Sequence, residues 1–493
     1  MIQLWGNERV VFSGPCRCIR EGSGIRAREL VLSPVNKVIR RFKRGQVRDP
    51  RQRLSPSPKL IFDHPFLQRR IQLDVSDIST TGFSVYENVG DGVLVQGMII
   101  PEVVIEFAGT SRIRCSAQVI YRLEEDEKRF RYAFSIFDMD IDAYSGLNRI
   151  LGSALDTHAH LSTELDMEDL WKFFFESDFI YPKKYRLVES YREDFKETYR
   201  KLYQENPEVA RHFTYQENGR ICAHVSMVRA YEKTWVVQHH ISRIMDGKRA
   251  GPKVLKQILQ FLNNMFRLPS VNAEHMMLYY RPENRFPSAA FGGFAEDLRD
   301  PKRCSVDLFS YFTYTTPSLG ERLPEGWFLR GCSSFDIREF RRFYEHHSGG
   351  LLFDVLGFEQ DESNGECVEA LYKKLGLMRT WEMLALTHRG QLKAVFIVER
   401  SSRGLNLSDL LNCIKIVVTN PEGLSWNVLS TAIGQLVPLY ETHRVPVLVY
   451  PITYVEAEGI PYEKQYQWWT CDACSIGHLI EFLERRLRIS YWK

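Results

Sequence analysis

The chain has 493 residues, 44% of them hydrophobic and 13% aromatic, which excludes a disordered chain and provides for about two to four domains with cores of their own. Its formal net charge of +3 lacks the broad basic excess of a dedicated nucleic-acid binder, so nucleic acid is not an expected partner. No run approaches the roughly 18 to 20 apolar residues of a membrane span, and the opening MIQLWGNERVVF has no leader layout, so a cytoplasmic protein is expected.

Residues 1–36 read as an N-terminal β extension, with strand-like runs RVVFS and IRARELVLS separated by a turn at Gly22, Ser23 and Gly24. A basic segment follows. Between Lys37 and Arg53 lie eight lysines and arginines against the single acid Asp49, so this stretch contributes +7 and the rest of the chain −4. Six short strand patterns come next: SPKLIF, IQLDV, GFSVYENV, GMIIPEVVIEF, RIRCSAQVIYRL and RFRYAFSIFDM. In the fifth, Ile113, Cys115, Ala117, Val119 and Tyr121 share one face, and Arg114, Ser116, Gln118 and Arg122 the other. Six strands at this spacing predict a small antiparallel β-barrel, closed by a helix bearing Leu147, Ile150, Leu151 and Leu155. The barrel region is placed at 37–155.

After a polar linker the pattern becomes α/β. A helix carries Tyr191, Phe195, Tyr199 and Leu202 on one face, a hairpin turns at Asn218-Gly219, and TWVVQHHIS leads through RIMDGKRAGPK into a helix with Val254, Leu255, Ile258, Leu259, Leu262 and Phe266 inward. A comparable order recurs from about residue 325, with a hairpin at Arg389-Gly390 and a helix bearing Leu429, Ile433, Leu436 and Tyr440. The expected fold is therefore multidomain: a small antiparallel barrel plus two α/β modules, at 160–324 and 325–493. Ten cysteines scattered from Cys16 to Cys474 form no dense disulfide framework, and the lone CxxC of Cys471 and Cys474 supplies too few ligands for a structural zinc, so no metal is expected.

Arginine presents a planar fork of donors that grips phosphate oxygens in pairs and stacks on a nucleobase. A carboxylate such as Asp77 accepts from the N–H edge of a guanine, Ser79 offers a small hydroxyl, and Gly82 permits a tight turn. These groups together fit a guanine nucleotide. DISTTG matches the DxSxxG signature of the PilZ domain at Asp77, Ser79 and Gly82, and the upstream RxxxR element is met twice, by Arg40 with Arg44 and by Arg44 with Arg48. The resemblance covers roughly residues 37–155 and implies a six-stranded barrel that binds cyclic di-GMP, its arginines clamping phosphates and guanine. The resemblance places the second arginine just before the first barrel strand, which here begins near Ser57, and so favours Arg48, Arg51 or Arg53 over Arg40 at that position, with Arg40 and Arg44 kept as candidates by the RxxxR match.

A strand, a polar glycine-containing turn and an amphipathic helix together aim backbone N–H groups at a pyrophosphate. In this layout residues 217–263 resemble the central strands and pyrophosphate loop of the GNAT superfamily of acyl-CoA-dependent N-acyltransferases. AFGGFAED resembles a late element of that superfamily, and LYKKLGLMR a second copy of it. In the loop KRAGPK, Gly251 fits the family's Q/R-x-x-G-x-G/A pattern, but Lys253 replaces a small residue and Pro252 has no N–H to donate. Arg249 and Gly251 are the candidates for an acyl-CoA site. His239, His240, Tyr279 and Tyr280 are weighed as proton carriers, with packing the more common role for each.

The resemblances imply a bacterial-type cyclic di-GMP receptor whose PilZ-like barrel regulates a tandem GNAT-like output. That output is either acyl transfer to an amine or recognition of a partner protein by a catalytically idle fold. Nucleic-acid binding through residues 37–53 is a third reading, marked by steep salt dependence and indifference to Asp77→Ala.

Overall fold

The computed structural model describes residues 50–65, 67–155, 158–161, 165–177, 180, 188–205, 208–243, 250–315, 322–357, 367–442 and 444–486, with the backbone of five short strands before residue 50. The chain divides into two units, residues 1–50 and 51–493. In the first, β1 (Ile2–Trp5), β2 (Val11–Gly14) and β5 (Arg40–Phe42) form an antiparallel sheet, while β3 (Cys16–Glu21) pairs with β4 (Leu30–Pro34).

The second unit opens with β6 (Lys59–Asp63), β7 (Arg70–Ser79), β8 (Gly82–Asn88), β9 (Ile99–Phe107), β10 (Ser111–Asp126) and β11 (Arg129–Asp138). They close into a six-stranded antiparallel barrel in the order β10-β11-β8-β7-β6-β9. Alternation builds it: Ile113, Cys115, Ala117 and Val119 point into the core. Tyr121, expected on that face, is instead 41% exposed, because the register shifts between Val119 and Tyr121 and a bulge re-aims the strand. Helix α1 (Ile141–Leu155) buries Leu147 and Leu151 in the same core.

The remaining strands form one twelve-stranded mixed sheet. They are β12 (Ala159–Leu161), β13 (Ala210–Glu217), β14 (Arg220–Tyr231), β15 (Thr234–Ser242), β16 (His275–Tyr280), β17 (Cys304–Thr315), β18 (Trp327–Gly331), β19 (Arg379–His388), β20 (Gln391–Ser401), β21 (Ile414–Val418), β22 (Arg444–Tyr450) and β23 (Lys464–Asp472). The order is β12-β13-β14-β15-β16-β23-β17-β22-β21-β20-β19-β18. Read inward from either edge, it presents five strands with a parallel pairing between the fourth and fifth, β15 with β16 and β21 with β22. Between the two sets lies the antiparallel pair β23 and β17: β23, which follows both sets in sequence, packs beside β16 of the first, and β17, which lies between them in sequence, beside β22 of the second. Both expected hairpins are present, at Asn218-Gly219 and Arg389-Gly390.

Helices cover the sheet on both faces. Met167–Glu176 is α2, Arg192–Tyr199 is α3, and Ala250–Met265 is α4. Along α4 the apolar residues recur at helical spacing, and Val254, Leu255, Ile258, Leu259 and Leu262 are buried as that spacing requires. Their core is continuous with the barrel's, so barrel and sheet share one hydrophobic cluster. Polar contacts pin the same junction. The Tyr144 hydroxyl donates to the Phe261 carbonyl at 2.9 Å, and the buried Arg211 donates to Asp142 at 2.8 Å and to Ser145 at 2.6 Å. Asn264, at the end of α4, donates to the Thr80 hydroxyl at 3.1 Å.

Candidate nucleotide site on the barrel

Strands β7 and β8 are joined by the two residues Thr80 and Thr81, with Ser79 paired to Gly82. The buried Ser79 hydroxyl donates to the Gly82 carbonyl at 3.1 Å and holds the turn. Gly82 is dictated by space, since a Cβ there would lie 2.4 Å from the Phe134 carbonyl oxygen on β11. The signature's serine and glycine thus shape the hairpin on which the aspartate sits.

A register shift between Val75 and Asp77 turns the Asp77 carboxylate toward two arginines. Arg51 reaches it because Gln52 bridges Ile78: the Gln52 N–H donates to the Ile78 carbonyl at 2.8 Å, and the Ile78 N–H returns a bond at 2.9 Å. Arg51 Nη1 lies 3.1 Å from one Asp77 oxygen, while Arg131 Nη2 is paired to the other. Arg131 Nε also donates to the Ser84 hydroxyl at 3.2 Å. Side-chain exposures of 33% for Arg51, 26% for Arg131 and 8% for Asp77 leave the arginines reachable from solvent above a nearly covered carboxylate. Chemically this is an acceptor set for a fork of N–H donors, flanked by cationic groups suited to an anion.

Of the candidate residues, Arg51, Asp77, Ser79 and Gly82 come together. Arg53 is exposed and has no hydrogen bond or ion pair among the described residues. Arg40 lies on β5 with its backbone paired to Ser13, and Arg44 and Arg48 lie outside the described residues. Sequence reasoning missed Arg131 and Ser84. The usable signal was their place on strand patterns whose outward positions line up with Asp77 once the order β7-β8-β11 is known.

Of the acyl-CoA candidates, Arg249 lies outside the described residues. Gly251 lies close against β15, where a Cβ would come 2.8 Å from the Ser242 side-chain hydroxyl, and its carbonyl accepts from His240 Nε2 at 2.9 Å. Lys253 donates to the Tyr215 hydroxyl at 2.7 Å. Beyond Val236 and Met277 strands β15 and β16 are no longer paired to each other. The segment after β20 bonds there: Gln238 donates to the Leu405 carbonyl at 2.7 Å, Asn406 to Gln238 at 2.6 Å, and the Leu407 N–H to His239 Nε2 at 3.3 Å.

Two buried clusters were not foreseen. His212, His224 and His239 stand on adjacent strands, with ring centroids 5.5 Å apart for the first two and 6.5 Å for the last two. Burial, and then the neighbouring histidines, hold His224 well below the usual 6.5. Glu399 accepts from Arg379 at 3.0 Å and is also paired with Tyr231 and Lys415. Burial, and then the Arg379 charge, hold the Lys415 ammonium well below the usual lysine range. No group of histidines, cysteines and acids that could hold a metal ion is present among the described residues. Nor is any helix among them long and apolar enough to cross a membrane.

No family model matches the sequence, and no curated protein matches it. Among solved structures, the PilZ domain of YcgR from Escherichia coli with c-di-GMP is similar at 17% identity, over 23% of this chain and 91% of that one, with a TM-score of 0.20. MrkH, described as a c-di-GMP-dependent transcription regulatory factor, is similar at 19% identity with a TM-score of 0.20; the match covers 22% of this chain and 50% of that one. An acetyltransferase from Streptococcus agalactiae is similar at 13% identity, over 34% of this chain and 94% of that one, with a TM-score of 0.22.

Proposed function

We propose that the chain is a cyclic di-GMP receptor that reads the nucleotide on the β7–β8 edge of its barrel and passes the signal to the α/β region. The observation that carries this reading is the Asp77 carboxylate, set by the DxSxxG hairpin between two solvent-reachable arginines. A guanine edge suits that acceptor, and a dianionic ligand offsets the repulsion within the basic segment. Arg40, Arg44 and Arg48 are assigned to the phosphates from the sequence motif alone, and Arg53, exposed beside the bridge at Gln52, joins them.

For the output we read two related GNAT-like modules, at 160–324 and 325–493. The repeated strand order, with its parallel pairing at the same place in each half, supports that reading. Between acyl transfer and recognition of a partner protein, the bonds from residues 405–407 to the side chains of Gln238 and His239 favour recognition, because they cover β15 beyond its last pairing with β16. The packing roles of Gly251 and Lys253 point the same way.

Calorimetric titration of the purified chain tests both parts. Cyclic di-GMP is expected to bind saturably, and Asp77→Ala to weaken it at least about tenfold, the scale of a lost charge-assisted hydrogen bond. Acetyl-CoA in the same cell is expected to give no heat. Binding that ignores Asp77→Ala and collapses with salt would replace this reading with a non-specific polyanion site.

A further inference from the structure

Resting on the nucleotide reading above, we propose that Arg51 is a built-in stand-in for guanine, which the ligand displaces from Asp77, and that Arg131 is the fixed residue that positions the carboxylate for it. A guanidinium and the N1–H, N2–H edge of guanine present the same chemistry to a carboxylate, a planar fork of N–H donors. In the structure that place is taken. Arg51 Nη1 is 3.1 Å from Asp77 Oδ1, and Arg131 is paired to Oδ2, so guanine cannot lie edge-on to both oxygens until one arginine leaves.

The surroundings decide which one leaves. Arg131 is anchored on β11 by two partners from two other strands, the Ser84 hydroxyl on the adjacent β8, at 3.2 Å, and Asp77 on β7 beyond it. Arg51 precedes the barrel strands, and among the described residues Asp77 is the one group its side chain bonds. Its backbone is held near the site by the bridge from Gln52 to Ile78, which leaves the side chain to swing while the chain stays in place. The buried carboxylate is therefore never left alone. Arg51 satisfies it in the free state, guanine satisfies it in the bound state, and Arg131 stays throughout. Arg51 thereby sets a threshold on affinity and favours ligands with a guanine edge over those with adenine, whose edge lacks the paired donors.

Titration of the full chain with cyclic di-GMP and cyclic di-AMP, for the unaltered protein, Arg51→Ala, Arg131→Ala and Arg131→Lys, tests this. Arg51→Ala is expected to tighten cyclic di-GMP binding by about two- to fivefold, the worth of a partly exposed ion pair. Association of a fluorescent cyclic di-GMP analogue should quicken in step. Unchanged or weakened affinity in Arg51→Ala overturns the displacement. Arg131→Ala is expected to narrow the preference for cyclic di-GMP over cyclic di-AMP at an unchanged melting temperature, with partial rescue by Arg131→Lys; an unchanged preference overturns the positioning role. If neither the unaltered chain nor Arg51→Ala binds cyclic di-GMP, the nucleotide reading itself falls. Binding by Arg51→Ala alone would mean that the arginine outcompetes the ligand, the displacement model in its strongest form.

Discussion

At Gly82 the hairpin of the candidate site meets β11 so closely that no side chain fits. A methyl group would sit 2.4 Å from the Phe134 carbonyl oxygen, a backbone atom that moves only if the β8–β11 pairing moves. Gly82→Ala is therefore expected to cost about 1–3 kcal/mol, read as a lowered midpoint in urea unfolding, and to weaken nucleotide binding through the displaced hairpin. An unchanged midpoint would mean that the hairpin relaxes freely. The neighbouring signature residues were legible in the sequence because the turn they make is local: Ser79 and Gly82 are three positions apart and bonded to each other. Arg131 was not legible, since it meets Asp77 from 54 residues away, across β8.

Strands β13, β14 and β15 carry a histidine each into one buried cluster walled by Phe174, Tyr199 and Tyr203. His224 Nδ1 is bonded to the His239 carbonyl at 3.2 Å, and burial keeps the ring neutral. Burial also lowers His240 and His275 from 6.5. The unfolded chain thus binds more protons than the folded one once the pH falls below 6.5, and stability is lost in that direction. Each such histidine contributes a slope of up to about 1.4 kcal/mol per pH unit. Urea unfolding between about pH 7 and pH 5 is expected to show this loss, with a shallower slope for His224→Gln; an equal slope would assign the acid sensitivity elsewhere. Along TWVVQHHIS a bulge rather than plain alternation gives His239 and His240 different partners, Leu407 and Gly251: His239 has a φ of +53° and the register with β14 shifts between His224 and Ser226. That His239 would meet two more histidines depended on the register of three strands, which no single strand encodes.

Across the whole molecule the decisive feature is the exchange at the centre of the sheet. β23, from the end of the chain, lies between β16 and β17, and β17 in turn lies beside β22. Trp468 and Trp469 of β23 are buried, one in each of two core clusters. A chain ending at residue 324 would leave β16 with an open edge and β17 with neither neighbour, exposing paired backbone to solvent and to other chains. Such a truncation is expected to be insoluble or unfolded by circular dichroism; a soluble, folded product would show that the first half stands alone. The barrel shares its core with α4, so a change at the β7–β8 hairpin has a direct route to the sheet through the bond from Asn264 to Thr80.

The sequence alone determined the features that come from short-range chemistry. Six alternating strands became the barrel, the turns at Asn218-Gly219 and Arg389-Gly390 became hairpins, and DISTTG became the tight corner beneath Asp77. In each case the residues that carry the signal lie within one strand or turn, where pleat, turn dihedrals and side-chain size act directly. Tertiary structure decided which arginines face Asp77, where the strand after Val119 turns outward, which charges gather around Glu399, and how β17 and β23 trade places. Those outcomes follow from pairings between segments tens to hundreds of residues apart, whose free energy exists only once the whole sheet is assembled.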